Sequence, residues 1–252
     1  MEERAIRDST PRGFIVRLRF SNNRLHRTSA LPRPPRADEA GEIYHALNRG
    51  NARQTIFHKE GDYEGFERVL SEGLEKYPVD LFAYQWMPNH WHMVLRPRES
   101  GAMSRLLYWV TMTHTARYHA HYHTAGEGHL YQGRYKSFPI QDDDHFHVVC
   151  RYVERNALAA ALVVRAEDWR WGSLWNWCGG KSLVKLSPWP TPRLPGWVAR
   201  VNQELGEKQI QHLQRCIRRG SPFGDPSWIE TTARRLNLES TLRSRGRPRK
   251  FI

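Results

Sequence analysis

The chain has 252 residues, enough for one large domain or a domain with a substantial appendage, and long enough to bury a proper core. Lysine and arginine number 39 against 26 acidic residues, a formal charge of +13 with a pI near 10.0, which points to a polyanionic partner, nucleic acid ahead of an acidic membrane surface. Three separated cysteines (Cys150, Cys178, Cys216) exclude a disulfide framework or zinc ribbon, and no apolar run reaches the ~20 residues of a membrane helix, so a soluble cytoplasmic protein is expected.

Residues 1–40 are rich in arginine and proline without sustained periodicity and read as a basic, disordered arm. From Ile43 to Arg49 a strand is predicted, ended by Gly50-Asn51. Phe66, Val69, Leu70, Leu74 and Tyr77 fall at helical spacing and predict a helix from about Asp62 to Lys76. Val79 to Met87 is a second strand, and Pro88-Asn89 turns the chain into a third, which carries His90 and His92. Met103, Leu106, Leu107 and Val110 predict a helix from Ser104 to about His121, followed by a fourth strand over Tyr131 to Ile140. Asp142-Asp143-Asp144 offers an N-cap for a third helix reaching about Leu162.

This order predicts an α+β fold: a ferredoxin- or RRM-like split βαβ antiparallel sheet with helices on one face and the other face free to bind. A mainly helical C-terminal region follows. Pro188 to Pro195 reads as a linker, with helices near Glu204–Arg219 and Trp228–Leu238. The basic end includes Arg245 and Arg247 around Gly246 and Pro248, a pattern suited to the minor groove as well as to a plain solvated tail. The expected division is an arm (1–40), a domain (41–178), and a linker with a basic tail (179–252).

His90-Trp91-His92 is the chemically suggestive run. On a strand its two imidazoles share a face while Trp91 points the other way, and two neutral imidazoles can hold one divalent cation. Tyr152 and Asn156 lie four residues apart on the third predicted helix, on one face, offering a nucleophile and a hard oxygen ligand. His119, His121 and His123, and the pair His145 and His147, have the same two-residue spacing, but helical geometry splays them apart.

Asn89-His90-Trp91-His92 on a strand, with Tyr152 and Asn156 on a later helix, resembles the single-tyrosine HUH transposases, and more closely the REP-associated tyrosine transposases. Further similar stretches are Tyr44-His45-Ala46-Leu47-Asn48-Arg49-Gly50, the run from Gly128 to Ser137, Trp169-Arg170-Trp171-Gly172-Ser173, and the terminal Gly-Arg-Pro-Arg-Lys. The resemblance covers roughly residues 33 to 178 well and the tail loosely. It implies an RRM-like domain that cuts and rejoins single-stranded DNA at hairpins, with Tyr152 as nucleophile. It also implies Mg²⁺ or Mn²⁺ on His90, His92 and Asn156. Where the family usually has proline after the asparagine, Ala157 stands here and leaves the helix free to run on.

Arg49, Arg134 and Lys136 are candidates for phosphate contacts, and Tyr131 and Tyr135 for stacking on bases, while Trp91 is expected to pack inward. The expected partner is single-stranded or hairpin DNA; a homodimer is left open, and no membrane is involved. Two rival readings stand beside this one. A non-cleaving single-stranded nucleic-acid-binding protein or repressor would share the sheet but not need the polar set, and a metal-dependent hydrolase would want more carboxylates near the histidines.

Overall fold

Alternation along the strands and amphipathic spacing along the helices place six elements in the expected order. They are β1 (Ile43–Arg49), α1 (Glu60–Lys76), β2 (Val79–Met87), β3 (His90–Pro97), α2 (Ala102–Tyr122) and β4 (Lys136–Ile140). They build one sheet in the order β2-β3-β1-β4, with every neighbouring pair antiparallel, which is the split βαβ arrangement. A computed structural model describes residues 36–243, which belong to one compact unit.

The two sheet faces bury different things. Toward α1 and α2 point Tyr44, Ala46, Tyr84, Trp86, Trp91, Met93 and Leu95, packed on Phe66, Val69, Leu70, Leu106 and Val110. A fully buried Val, Leu, Phe or Met side chain among these contributes about 1.5–3 kcal/mol. The opposite face, expected to be open, is instead roofed by α3 (Asp144–Glu154). Its apolar stripe of Phe146, Val149, Cys150 and Val153 covers Ile43, Phe82, Val94, Phe138 and Ile140. A strand row that is mainly apolar, with His45, Gln85 and His92 its buried polar members, needed such a cover.

α3 starts where predicted: Asp143 caps it by accepting from the amide of His145. It does not continue to Leu162. The backbone breaks at Arg155, a four-residue turn α4 (Asn156–Ala159) follows, and Ala161 at φ 55° ends the run. Asn156 therefore opens a new turn rather than continuing a straight helix. β4 is also shorter than predicted, because Tyr131 contributes only an isolated bridge to Gly50. At the other end, Asp38 belongs to the folded part although it was placed in the arm; its carboxylate accepts from the amides of Met103 and Ser104 and caps α2.

After α4, the chain adds α5 (Ser173–Trp177), α6 (Trp197–Asn202), α7 (Glu207–Arg219), α8 (Pro226–Arg235) and α9 (Glu239–Leu242). α5 and α6 were not predicted; at five and six residues they lack enough periodicity to read. Glu154, fully buried on α3, accepts from Ser173 Oγ at 2.7 Å and from Trp197 Nε1 at 2.7 Å, tying both short helices to the roof. The proline-rich stretch lies against the sheet too, with Trp189 Nε1 donating to the Phe82 carbonyl at 2.8 Å. Arg245 and Arg247 lie outside the described residues.

Candidate active site

His90 and His92 lie on the α3 face of β3, their ring centroids 5.0 Å apart. Across the ladder on β1, Arg49 sits opposite His90 and Leu47 opposite His92. His90 Nδ1 is 2.6 Å from Asn89 Oδ1; a carboxamide oxygen only accepts, so Nδ1 carries the proton and Nε2 keeps its lone pair. His92 Nδ1 is 2.9 Å from Nε2 of a third histidine, His45 on β1. With His92 donating, its Nε2 is likewise left with a lone pair. A partner on the remote nitrogen is how ligating imidazoles are oriented. Burial lowers the pKa of His90 to about 4 and that of His45 to about 3, and holds His92 well below the ordinary value, so all three rings are neutral near pH 7.

His45 belongs to a stretch noted for its resemblance but was given no role. The signal was available: on a strand His45, Leu47 and Arg49 must share one face, and pairing with β3 puts that face beside His92. His45 is completely buried, packed against Phe138 at 5.0 Å between ring centroids.

The structure brings Tyr152 to these rings. Its centroid lies 6.0 Å from that of His92 and 6.4 Å from that of His45. Burial raises the Tyr152 pKa, while a hydrogen bond from Asn156 and the charge of Arg49 pull it back down. The Asn156 carboxamide is near enough to His90 to raise its pKa slightly against burial, and its Nδ2 lies 3.4 Å from the Tyr152 carbonyl. Thus His90, His92, Tyr152, Asn156 and Arg49 converge, although α3 breaks between the tyrosine and the asparagine. Tyr152 and Asn156 open onto a cleft of about 410 Å³ whose far wall is Glu204, Leu205, Ile210 and Gln214, from the tail.

The other sequence candidates divide. Lys136 is exposed and pairs with Leu47, which puts it on the site's face of the sheet; Arg134 is exposed in the loop before it. Tyr131 is a correction: it is 7% exposed, accepting from Trp91 Nε1 at 3.3 Å and bonded to His114 Nδ1 at 2.7 Å, so its ring has no face for a base. Tyr135 is buried as well, its hydroxyl 2.9 Å from Ser104 Oγ. Trp91 packs inward, fully buried, as expected. His145 and His147 diverge, to Asp143 and to the Pro192 carbonyl. A separate surface group (Asp143, His145, Asp225) has ligand atoms within 4.8 Å of one another, but Asp143 already caps α3 and Asp225 accepts from Gln141.

The described residues form an antiparallel split βαβ domain with paired strand histidines and a tyrosine on a covering helix, and part of it matches a known family. Residues 41–156, which hold the whole sheet and His90, His92, Tyr152 and Asn156, match the family model described as "Transposase IS200 like". That match spans 116 of the 252 residues, a little under half of the chain. Among solved structures, the chain is similar to a REP-associated tyrosine transposase bound to a REP hairpin, with 15% identity over 63% of this chain and 92% of the other, at a TM-score of 0.48. It is also similar to a candidate transposase from Deinococcus radiodurans R1, with 17% identity over 44% and 88% of the two chains and a TM-score of 0.35. No curated protein matches the chain. No helix among the described residues is long and apolar enough to cross a membrane.

Proposed function

We propose that this chain is an IS200-like transposase that cuts and rejoins single-stranded DNA through a covalent 5′-phosphotyrosine on Tyr152, acting in the cytoplasm on palindromic repeat hairpins. One observation carries the reading: Tyr152 and Asn156, from the covering helices, meet His90 and His92 of β3 and Arg49 of β1 at one place. A module that merely bound DNA would need none of this polar set.

The donor set suits a divalent ion, since two neutral imidazoles have their remote nitrogens already bonded and a carboxamide stands beside them. His90, His92 and Asn156 would hold Mg²⁺ or Mn²⁺, which when bound supplies Lewis acidity toward the scissile phosphate. The remaining chemistry belongs to the chain. Tyr152 Oη bonds to phosphorus as the P–O3′ bond breaks, the phenolic proton is lost, and the departing oxygen gains a proton to become a free 3′-hydroxyl. Rejoining reverses the step: a 3′-hydroxyl attacks the phosphotyrosine and frees Tyr152. Neither water as nucleophile nor ATP is required. Arg49 favours the phenolate and offers its guanidinium to the phosphate. Arg134 and Lys136 extend phosphate binding along the DNA, and His45 holds His92 in the ligating tautomer.

The test is to incubate purified protein with single-stranded hairpin DNA and Mg²⁺ or Mn²⁺. An SDS-resistant adduct is expected, and none with Tyr152→Phe. Tight DNA binding by wild-type protein without cleavage would instead establish the binding-protein reading.

A further inference from the structure

Arg155, at the break after α3, borders two depressions. One is the cleft of Tyr152 and Asn156; the other is a groove of about 830 Å³ walled by Leu158, Val164, Trp177 and Val198. The groove is apolar yet open: Val164 is 89% exposed and Trp177 47%. Arg193 stacks over Trp177 at 4.6 Å and holds the indole in place. An exposed indole beside exposed aliphatics is costly for a surface that meets only water.

Positive charge predominates around it, with Glu167 the carboxylate in its lining and Arg165 paired to that residue. Arg151 is depressed by burial and by the neighbouring Arg155 and Arg200, so three guanidinium groups crowd together. None of Arg151, Arg155, Arg193 and Arg200 forms an ion pair among the described residues, whereas Arg96, Arg117 and Arg170 elsewhere each do. One Nη of Arg155 is buried without a hydrogen-bond partner. The carboxylate lining the groove, Glu167, is already held by Arg165 and Asn202.

We propose that this groove takes the unpaired DNA strand flanking the phosphate at Tyr152, with Arg155 passing a phosphate from cleft to groove and Trp177 stacking on a base. The proposal rests on the strand-transfer reading for its starting point and adds where the strand goes. Stacking requires a base face that a duplex keeps hidden, so the occupant is single-stranded.

The experiment measures binding of a labelled single-stranded oligonucleotide by full-length protein carrying Tyr152→Phe, in EDTA, against a duplex of the same sequence. Trp177→Ala should weaken single-strand binding about tenfold, with Trp177→Phe recovering most of it and duplex binding unchanged. Arg155→Gln should lower the slope of log affinity against log salt by about 0.7, one phosphate contact on a single strand. Val164→Glu, at a site exposed enough to spare the fold, should weaken binding. Tyr108→Glu, on α2 across the sheet and 67% exposed, should not. Parental affinity in Trp177→Ala and Val164→Glu, or equal loss on duplex and single strand, would overturn the groove. The adduct assay separates this from the parent reading. Adducts with unaffected groove variants remove the groove alone, and groove-dependent binding without any adduct removes strand transfer alone.

Discussion

The two faces of the sheet both bury histidine, and they treat it differently. On the α1–α2 face, His114 is bonded to the Tyr131 hydroxyl, which also accepts from Trp91, and it stacks on Phe57 at 5.4 Å. That imidazole finishes a closed arrangement inside an aromatic core. On the α3 face, His45 Nδ1, Arg49 Nε and both carboxamide atoms of Gln85 are buried with no hydrogen-bond partner. Each such group costs about 1–3 kcal/mol. Trp109 Nε1 is the counterpart on the α1–α2 side, so it is the concentration of such atoms beside the histidines that fits the proposed reading. Trp91 and His92 are adjacent in sequence and belong to opposite regimes only because a strand alternates.

The sharpest way to break this contrast is to remove one residue from each face. His90→Ala should cut adduct formation about a thousandfold, since several kcal/mol of charge stabilisation at phosphate disappears, while the melting temperature moves little. Trp91→Ala should do the reverse, costing about 3–5 kcal/mol in denaturant unfolding and sparing the specific activity of whatever remains folded. If His90→Ala unfolds the protein, the division between the faces fails.

Smaller effects sharpen it. His45→Ala should weaken metal affinity by about 10- to 100-fold, read by calorimetry with Mn²⁺, with His45→Gln partly restoring it; an unchanged affinity would reduce His45 to packing. Tyr131→Phe should cost about 1 kcal/mol of stability by breaking the bonds to His114 and Trp91, and leave DNA affinity unaltered, because the residue is buried. Acid should expose both faces together. His45 and His114 are pushed down to about 3 and about 4, so only the unfolded chain takes up their protons as pH falls below about 6.5. Stability should therefore decline from there toward pH 4, by up to about 1.4 kcal/mol per pH unit for each histidine, and be fully present above pH 7. His114→Gln should flatten the melting-temperature profile over that interval.

Much of this was legible in the chain. Period-two and period-3.6 patterns placed the sheet and the first two helices because each of those elements buries one face against a single neighbour. The pairing of Tyr152 with the histidines followed from the family's motifs rather than from spacing, since a contact between β3 and a helix some sixty residues later leaves no local trace. The roof over the second face was missed for a related reason: α3 is amphipathic, but nothing in its own residues says which surface it covers. The stop at Arg155 was missed because no proline or glycine marks it. Tyr131 was misjudged from composition, where an aromatic among basic residues suggests nucleic acid equally whether it faces solvent or core. His45 was within reach by alternation alone.

The most direct measurement is to map the covalent adduct by mass spectrometry. Wild-type protein incubated with single-stranded hairpin DNA and Mn²⁺ should yield one nucleotide-bearing peptide with the phosphate on Tyr152, and the DNA should carry a free 3′-hydroxyl. Cleavage that leaves a 5′-phosphate on the DNA and no modified tyrosine, or an adduct on a different residue, would contradict the account.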